Sequence, residues 1–192
     1  MKKRLYVAYG SNLNKRQMSE RCPGAKFVGA GLIHGYELQF KGLYSSAFAT
    51  IEPRRGASVP VGVWEIQDTD EWSLDVYEGY PRHYFKETVR VELDETMIDA
   101  MVYVMNRNAT FGIPSVHYYG VIKEGYKDCG LDESVLNQAL INSYEQAVKG
   151  QKDTYRRSKN HYRNHYNRKE RTCVEPEETD SPETSWGGQM HL

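Results

Sequence analysis

Apolar and polar positions along the chain read as strands first and helices last. Leu5-Tyr6-Val7-Ala8-Tyr9 is a short apolar strand that runs into Gly10-Ser11-Asn12, a turn-forming triplet. Residues 13–21 then read as a short helix, with Ser11 or Asn12 as its N-cap. Strand-like stretches follow near 26–33, 36–41, 46–52 and 60–67, punctuated by Gly and Pro. Between 67 and 79 the pattern turns helical: Asp68 with Glu71 resembles a capping box, and Trp72 and Val76 share a face. Gly79 and then Pro81 stop that helix. Apolar and polar residues alternate well from Tyr84 to Leu93, and 97–105 is the expected partner strand. Two helices close the series, one over 115–127 ended by Gly130, the other over 133–148, capped by Asp132 and ended by Gly150. Strands grouped ahead of helices, without regular alternation, predict an α+β fold rather than a doubly wound sheet.

Charge divides the chain where this periodicity stops. Residues 149–171 hold nine Lys or Arg against Asp153 and Glu170, and 172–192 hold five acids with no Lys or Arg. We therefore expect a folded domain over 1–148 and a mobile tail over 149–192, basic and then acidic. The whole chain, 192 residues with 39% hydrophobic and 27% charged side chains, has the composition of a soluble globular protein. Runs such as Ala100-Met101-Val102-Tyr103-Val104-Met105 are too short to span a bilayer, so no membrane association is expected. The basic start at Met1-Lys2-Lys3-Arg4 is followed by too few apolar residues for a signal peptide. Three cysteines with no CxxC pair argue against a disulfide framework or a zinc site, and the expected compartment is the cytoplasm. Fifteen tyrosines against five phenylalanines suggest rings wanted for their hydroxyls as well as their area. Near-neutral net charge gives no guide to a partner, and the sequence is silent on oligomeric state.

Two segments are candidates for chemistry. In Tyr9-Gly10-Ser11-Asn12-Leu13 a glycine permits a tight strand-to-helix turn whose amides point outward, a ready anion site for a carboxylate or a phosphate. A plain capped turn has the same sequence. The Lys of a phosphate-binding loop is missing, which argues against a nucleotide. In Asp75-Val76-Tyr77-Glu78-Gly79-Tyr80-Pro81-Arg82-His83-Tyr84-Phe85, Glu78 falls in the last helical turn among aromatic residues. If those rings exclude water its pKa should rise toward neutrality, as a general base requires; the plain alternative is a solvated helix-end glutamate. Other motifs are weaker. Gly29-Ala30-Gly31 with Gly35 only approximates a dinucleotide fingerprint, His161 and His165 lack further ligands, and Ser11 and Cys22 have no obvious base beside them.

Together these segments resemble the gamma-glutamylcyclotransferase family, which includes plant AIG2-like proteins. The turn at 9–13 is similar to the family's signature loop, and Glu78 before a Tyr-Phe strand start is similar to its catalytic glutamate segment. Ala49-Thr50-Ile51 with Pro60-Val61-Gly62-Val63-Trp64-Glu65-Ile66, and Tyr103 followed by Pro114 and Tyr118, extend the match over residues 5–145. The resemblance implies a small mixed β-barrel with flanking helices and a reaction needing no metal or cofactor. In that reaction the α-amine of a γ-glutamyl compound attacks its own side-chain carbonyl, closes 5-oxoproline and expels an amine. It also implies site roles. Glu78 would be the acid–base, Tyr9, Gly10, Ser11, Asn12 and Leu13 would hold the substrate's α-carboxylate, and Tyr84, Tyr103 and Tyr118 would line the pocket. The leaving group does not follow.

Two other functions fit the same residues. The barrel mouth could hold a small molecule without turning it over. The tail over 150–171 interleaves basic groups with Tyr155, Tyr162 and Tyr166, a pattern able to pair with phosphates and stack on bases as an accessory nucleic-acid contact, though a solvated extension has the same composition.

Overall fold

The computed structural model describes residues 4–172, and side chains as far as residue 160. The chain divides into two compact units, Met1–Lys152 and Asp153–Leu192.

The first unit is built on five strands. They are β1 (Arg4–Ala8), β2 (Lys26–Leu43), β3 (Ser46–Ile66), β4 (Tyr84–Leu93) and β5 (Thr96–Met105), closed into a barrel in the order β1-β3-β2-β4-β5. Every pairing is antiparallel except the closing one, where β1 meets β5 in parallel at Tyr6 and Met101. Closure leaves no free sheet edge. The core fills the inside with apolar side chains from alternate positions, among them Val7, Phe40, Ile51, Val61, Val63, Val91 and Val102.

Four strand-like stretches predicted between 26 and 67 are two long strands. Glycine and proline there bend the ladder rather than end it. The register shifts between His34 and Tyr36, where Gly35 takes a left-handed φ of 77°, and again between Phe27 and Gly29. The β2–β3 pairing runs on to Leu43 and Ser46. Segment 110–113 lies beside this hairpin end, through Gly42 N–H to Thr110 O at 2.8 Å and Ile113 N–H to Tyr44 O at 2.6 Å. The β4–β5 hairpin turns on Asp94 and Glu95, both at positive φ, as a two-residue turn matching strand twist requires.

The helices are α1 (Lys15–Arg21), α2 (Asp68–Glu78), α3 (Val116–Cys129) and α4 (Ser134–Thr172), of which α4 runs on from the first unit into the second. The predicted cap of α1 moves. A separate 3₁₀ turn occupies Ser11–Leu13, and Asn14 caps α1 by accepting from Gln17 N–H at 3.0 Å. The capping box of α2 is one residue earlier than expected, between Gln67 and Asp70. The buried Asp70 also accepts from Gly24 N–H at 3.1 Å, which ties α2 to the end of α1. Leu74 is the apolar residue that α2 buries, while Trp72 and Val76 are 70% and 65% exposed. Gly79 and Gly130 end α2 and α3 in the left-handed conformation, as the sequence predicts.

The expected helix end at Gly150 is not observed. Gly150 is not among the residues at positive φ, and helix continues to Thr172. A lone glycine costs about 1 kcal/mol relative to alanine, which the helix-forming Gln, Lys, Arg and Glu on either side offset. In the second unit the backbone of 153–172 is helical. The acidic segment 173–192, with most of the tyrosine-and-arginine run and both His161 and His165, lies outside the described side chains. No helix among the described residues is long and apolar enough to cross a membrane.

One packing contact fixes the turn after β1. Leu13 is wholly buried, and Gly125 of α3 lies directly on it: a Cβ there would sit 2.6 Å from Asn14 N and from Leu13 Cβ. Glu124 and Asp128 on the same helix accept from Asn14 Nδ2 at 3.2 Å and Lys15 N–H at 2.9 Å. Gly125→Ala should therefore destabilise the fold by about 1–3 kcal/mol through overpacking against backbone atoms, outweighing the roughly 1 kcal/mol that alanine brings to a helix. A lowered urea unfolding midpoint checks this; a raised midpoint would show that helix propensity decides.

Candidate active site

The barrel opens beside the Ser11–Leu13 turn into a cavity of about 640 Å³. Glu78, Tyr9, Gly10, Ser11, Asn12, Tyr84, Tyr103 and Tyr118, all candidates from the sequence, line it together. Leu13 does not. Its side chain plugs the core and its N–H donates to Gly10 O at 3.0 Å, so neither is available to a ligand. The amides of Ser11 and Asn12 open the 3₁₀ turn and have no acceptor within it.

The centre of the site is the Asn12 carboxamide. Its Nδ2 donates to Glu78 Oε1 at 2.9 Å and to Tyr6 Oη at 2.8 Å, and its Oδ1 accepts from Arg21 Nη1 at 2.6 Å. A guanidinium can only donate, so Arg21 fixes which end of the amide faces Glu78. Arg21 is itself held by Gln17 Oε1 at 2.6 Å and lies over the Tyr77 ring, 3.6 Å from its centroid. Tyr77 Oη in turn is 3.1 Å from Ser11 Oγ. Glu78 Oε2 has no partner among the described residues.

Burial at the helix end pushes the Glu78 carboxyl up to about 7, while the Arg21 charge and the Asn12 hydrogen bond pull it part of the way back. Water reaches this half-buried residue, yet protein atoms crowd the carboxylate closely enough for desolvation to dominate. Of the flanking aromatics read from the sequence, Tyr77 and Tyr84 line the cavity; Tyr80 and Phe85 are 42% and 40% exposed and do not.

The tyrosines are fixed by backbone and side-chain bonds. Tyr9 Oη donates to Tyr103 O at 2.5 Å and is hydrogen-bonded by the Thr50 side chain, while Tyr84 Oη donates to Ala49 O at 2.8 Å and keeps an acceptor lone pair. Tyr118 Oη accepts from Ala49 N–H at 3.2 Å and keeps its proton to give. Tyr103 Oη donates to Asp75 Oδ1 at 2.6 Å, and Lys86 joins Asp75 to Glu71, which pairs with Arg4. Burial holds all four phenols above the ordinary tyrosine range, so they are neutral at physiological pH.

Sequence reasoning missed Arg21, Tyr6 and Asp75. Each acts on a partner in another element, so even Asp75, which heads the Glu78 segment, gives no sign in the sequence of its bond to Tyr103. Cys22 is no nucleophile: it is buried, its Sγ donates to Asp70 O at 3.5 Å, and burial pushes its thiol up to about 12. Gly29 and Gly31 are strand residues of β2 pressed against Leu93, Glu92 and Val91, not a dinucleotide loop.

Comparison with known proteins fits this geometry. The family model for gamma-glutamyl cyclotransferase, AIG2-like, matches residues 6–126, more than half of the chain. The chain belongs to this family. A solved structure named gamma-glutamyl cyclotransferase is 29% identical, with a TM-score of 0.66 over 72% of this chain and 86% of its own. An uncharacterized protein from Homo sapiens gives the same identity and TM-score over 72% of this chain and 87% of its own. YkqA from Bacillus subtilis, 19% identical, has a TM-score of 0.62 over 76% of this chain and 55% of its own, which shows the fold alone. No curated protein matches the chain in sequence. The fold is thus the mixed five-stranded barrel with four helices of the gamma-glutamyl cyclotransferases.

Arg21→Gln removes the cation that favours ionised Glu78 and should raise its pKa above about 7. Carbon-13 NMR titration of the Glu78 carboxyl checks this; an unchanged or lowered midpoint would show that Arg21 does not act on it. Glu78 also links pH to stability. The folded group binds its proton more tightly than the unfolded one, whose pKa is near 4.5, so its contribution is fully present below pH 4.5 and lost as pH rises through about 7. Glu78→Gln should accordingly gain stability relative to wild type across that window, by up to about 3 kcal/mol. Parallel unfolding curves at pH 4.5 and 8 measure the difference, and a constant offset would exclude a raised pKa.

Proposed function

We propose that this chain is an active gamma-glutamyl cyclotransferase, releasing 5-oxoproline and a free amine from a γ-glutamyl compound. What carries the reading is the Glu78 carboxyl, raised to about 7 and hydrogen-bonded to Asn12, in one cavity lined also by the 3₁₀-turn residues Ser11 and Asn12.

On this reading the amides at Gly10, Ser11 and Asn12 receive the α-carboxylate. That brings the substrate's α-nitrogen to Glu78 and to the spare lone pair of Tyr84. Glu78 takes a proton from the α-ammonium, and the freed amine attacks the δ-carbonyl carbon. A C–N bond forms, the tetrahedral carbon collapses, and the C–N bond to the leaving group breaks. The attacking nitrogen sheds two protons overall and the departing amine gains two, leaving as an ammonium; Glu78 accepts from the first nitrogen and donates to the second. Tyr118, which keeps its proton, suits the developing oxyanion. Nucleophile and electrophile share one molecule, so fixing a folded conformation supplies a large effective concentration. A carboxyl with pKa near 7 is both base and acid at neutral pH.

The test is release of 5-oxoproline from γ-glutamyl-alanine, γ-glutamyl-ε-lysine and glutathione. Glu78→Gln keeps the shape and removes the proton acceptor, so turnover should fall by roughly 10²–10⁴-fold. Wild-type kcat/KM should decline as pH falls below about 7, where Glu78 becomes protonated. Normal turnover by Glu78→Gln would overturn the mechanism. Ligand binding without product from any of the three would favour a binding module.

A further inference from the structure

The cavity holds one ionised side chain that the reaction above does not use. Arg82 is exposed and lines the same space as Glu78, four residues after it in the chain. The intervening turn is rigidly built. Arg82 N–H donates to Gly79 O at 2.8 Å and His83 N–H to the same oxygen at 3.0 Å. Gly79 stands at φ 65°, and a Cβ there would meet the His83 ring at 2.6 Å, so this turn is open only to glycine.

The other cations near the cavity are engaged. Arg21 is shared between Asn12, Gln17 and Tyr77, and Lys86 pairs with Glu71 and Asp75. Arg82 has no carboxylate partner among the described residues, and no ion pair joins it to Glu78. A free guanidinium at a cavity mouth fits a planar anion, which it can hold through two parallel hydrogen bonds.

We propose that Arg82 anchors the carboxylate of the leaving group, so that this one residue sets how strongly the site distinguishes γ-glutamyl derivatives of α-amino acids from those of plain amines. The inference rests on the cyclotransferase reading of this site. In such a substrate the second carboxylate is only two bonds from the leaving nitrogen. A base bound to that nitrogen therefore needs a cation close beside it, and Arg82 follows Glu78 around a single turn. Charge agrees as well. A γ-glutamyl dipeptide brings one ammonium and two carboxylates; Glu78 answers the ammonium, the open amides of the 3₁₀ turn answer one carboxylate, and Arg82 answers the other. Leu43, Phe48 and Met105, the apolar part of the lining, leave room for an uncharged side chain on the departing amino acid.

The experiment compares γ-glutamylalanine with γ-glutamylalaninamide, which differ only in that carboxylate. Wild type should prefer the acid in kcat/KM, and Arg82→Gln should reduce the preference roughly 10- to 100-fold, mainly through KM. Arg82→Lys should restore part of it, and Arg82→Glu should invert it. Equal turnover of the two by wild type, or equal losses on both in Arg82→Gln, overturns the assignment of Arg82 and leaves the cyclotransferase reading standing. If neither dipeptide yields 5-oxoproline, release from γ-glutamyl-ε-lysine or glutathione decides the cyclotransferase reading, and calorimetric binding of γ-glutamylalanine decides the assignment of Arg82. Binding weakened by Arg82→Gln upholds the carboxylate anchor; binding that is unchanged or absent overturns it.

Discussion

The site depends on one carboxamide. Asn12 touches Arg21, Tyr6 and Glu78 at once, so it couples the turn after β1, the end of α1 and the end of α2. A helix C-terminus repels a carboxylate, and burial repels it further. The donor from Asn12 and the nearby guanidinium keep that repulsion from leaving Glu78 permanently protonated. The group ends near 7 because desolvation outweighs, without overwhelming, the two interactions that oppose it. Small displacements of this amide would therefore change the carboxyl's state more than its position.

Geometry of this kind requires a fixed base under the turn, and the core provides it. Leu13 descends into the barrel directly after Asn12, and Gly125 lets α3 close over it at backbone contact. The opposite wall is fixed differently. Tyr84 and Tyr118 grip the carbonyl and the amide of Ala49, so one residue of β3 orients two rings. A third ring, Tyr103, is set by Asp75 and the charges around it. Buried phenols with fixed partners lose little further freedom when a ligand arrives, which is the usual advantage of a preorganised pocket.

Much of this was legible in the sequence, and the failures have physical causes. The 9–13 turn, the glutamate before Gly79 and the two glycine helix ends are local signals, since each is determined by residues within a turn of one another. Strand extent was not legible, because Gly35 at a bulge looks the same in sequence as a glycine that ends a strand. Nor was the cap of α1, since an intervening 3₁₀ turn displaces it to Asn14. Trp72 and Val76 have helical spacing yet face outward, because Leu74 and Asp70 already supply the buried side of α2. Leu13 was assigned to the ligand with its neighbours in the loop, and only three-dimensional packing reveals it as a core residue. Arg21 and Arg82 carry no motif; what distinguishes them is whom they meet, and in the case of Arg82, that no carboxylate among the described residues pairs with it.

The long β2–β3 hairpin separates two kinds of change. Its barrel portion is locked by the core, but its end from Gly42 to Ser46, leaning on segment 110–113, forms a wall of the cavity while contributing nothing to the Asn12–Glu78 pair. Mutations in that wall can drift without disturbing the hydrogen bond between Asn12 and Glu78. A lineage built on this barrel is thus free to reshape one wall of the cavity while inheriting the Asn12–Glu78 pair unchanged. Divergence among relatives should accumulate at the hairpin end sooner than around Asn12.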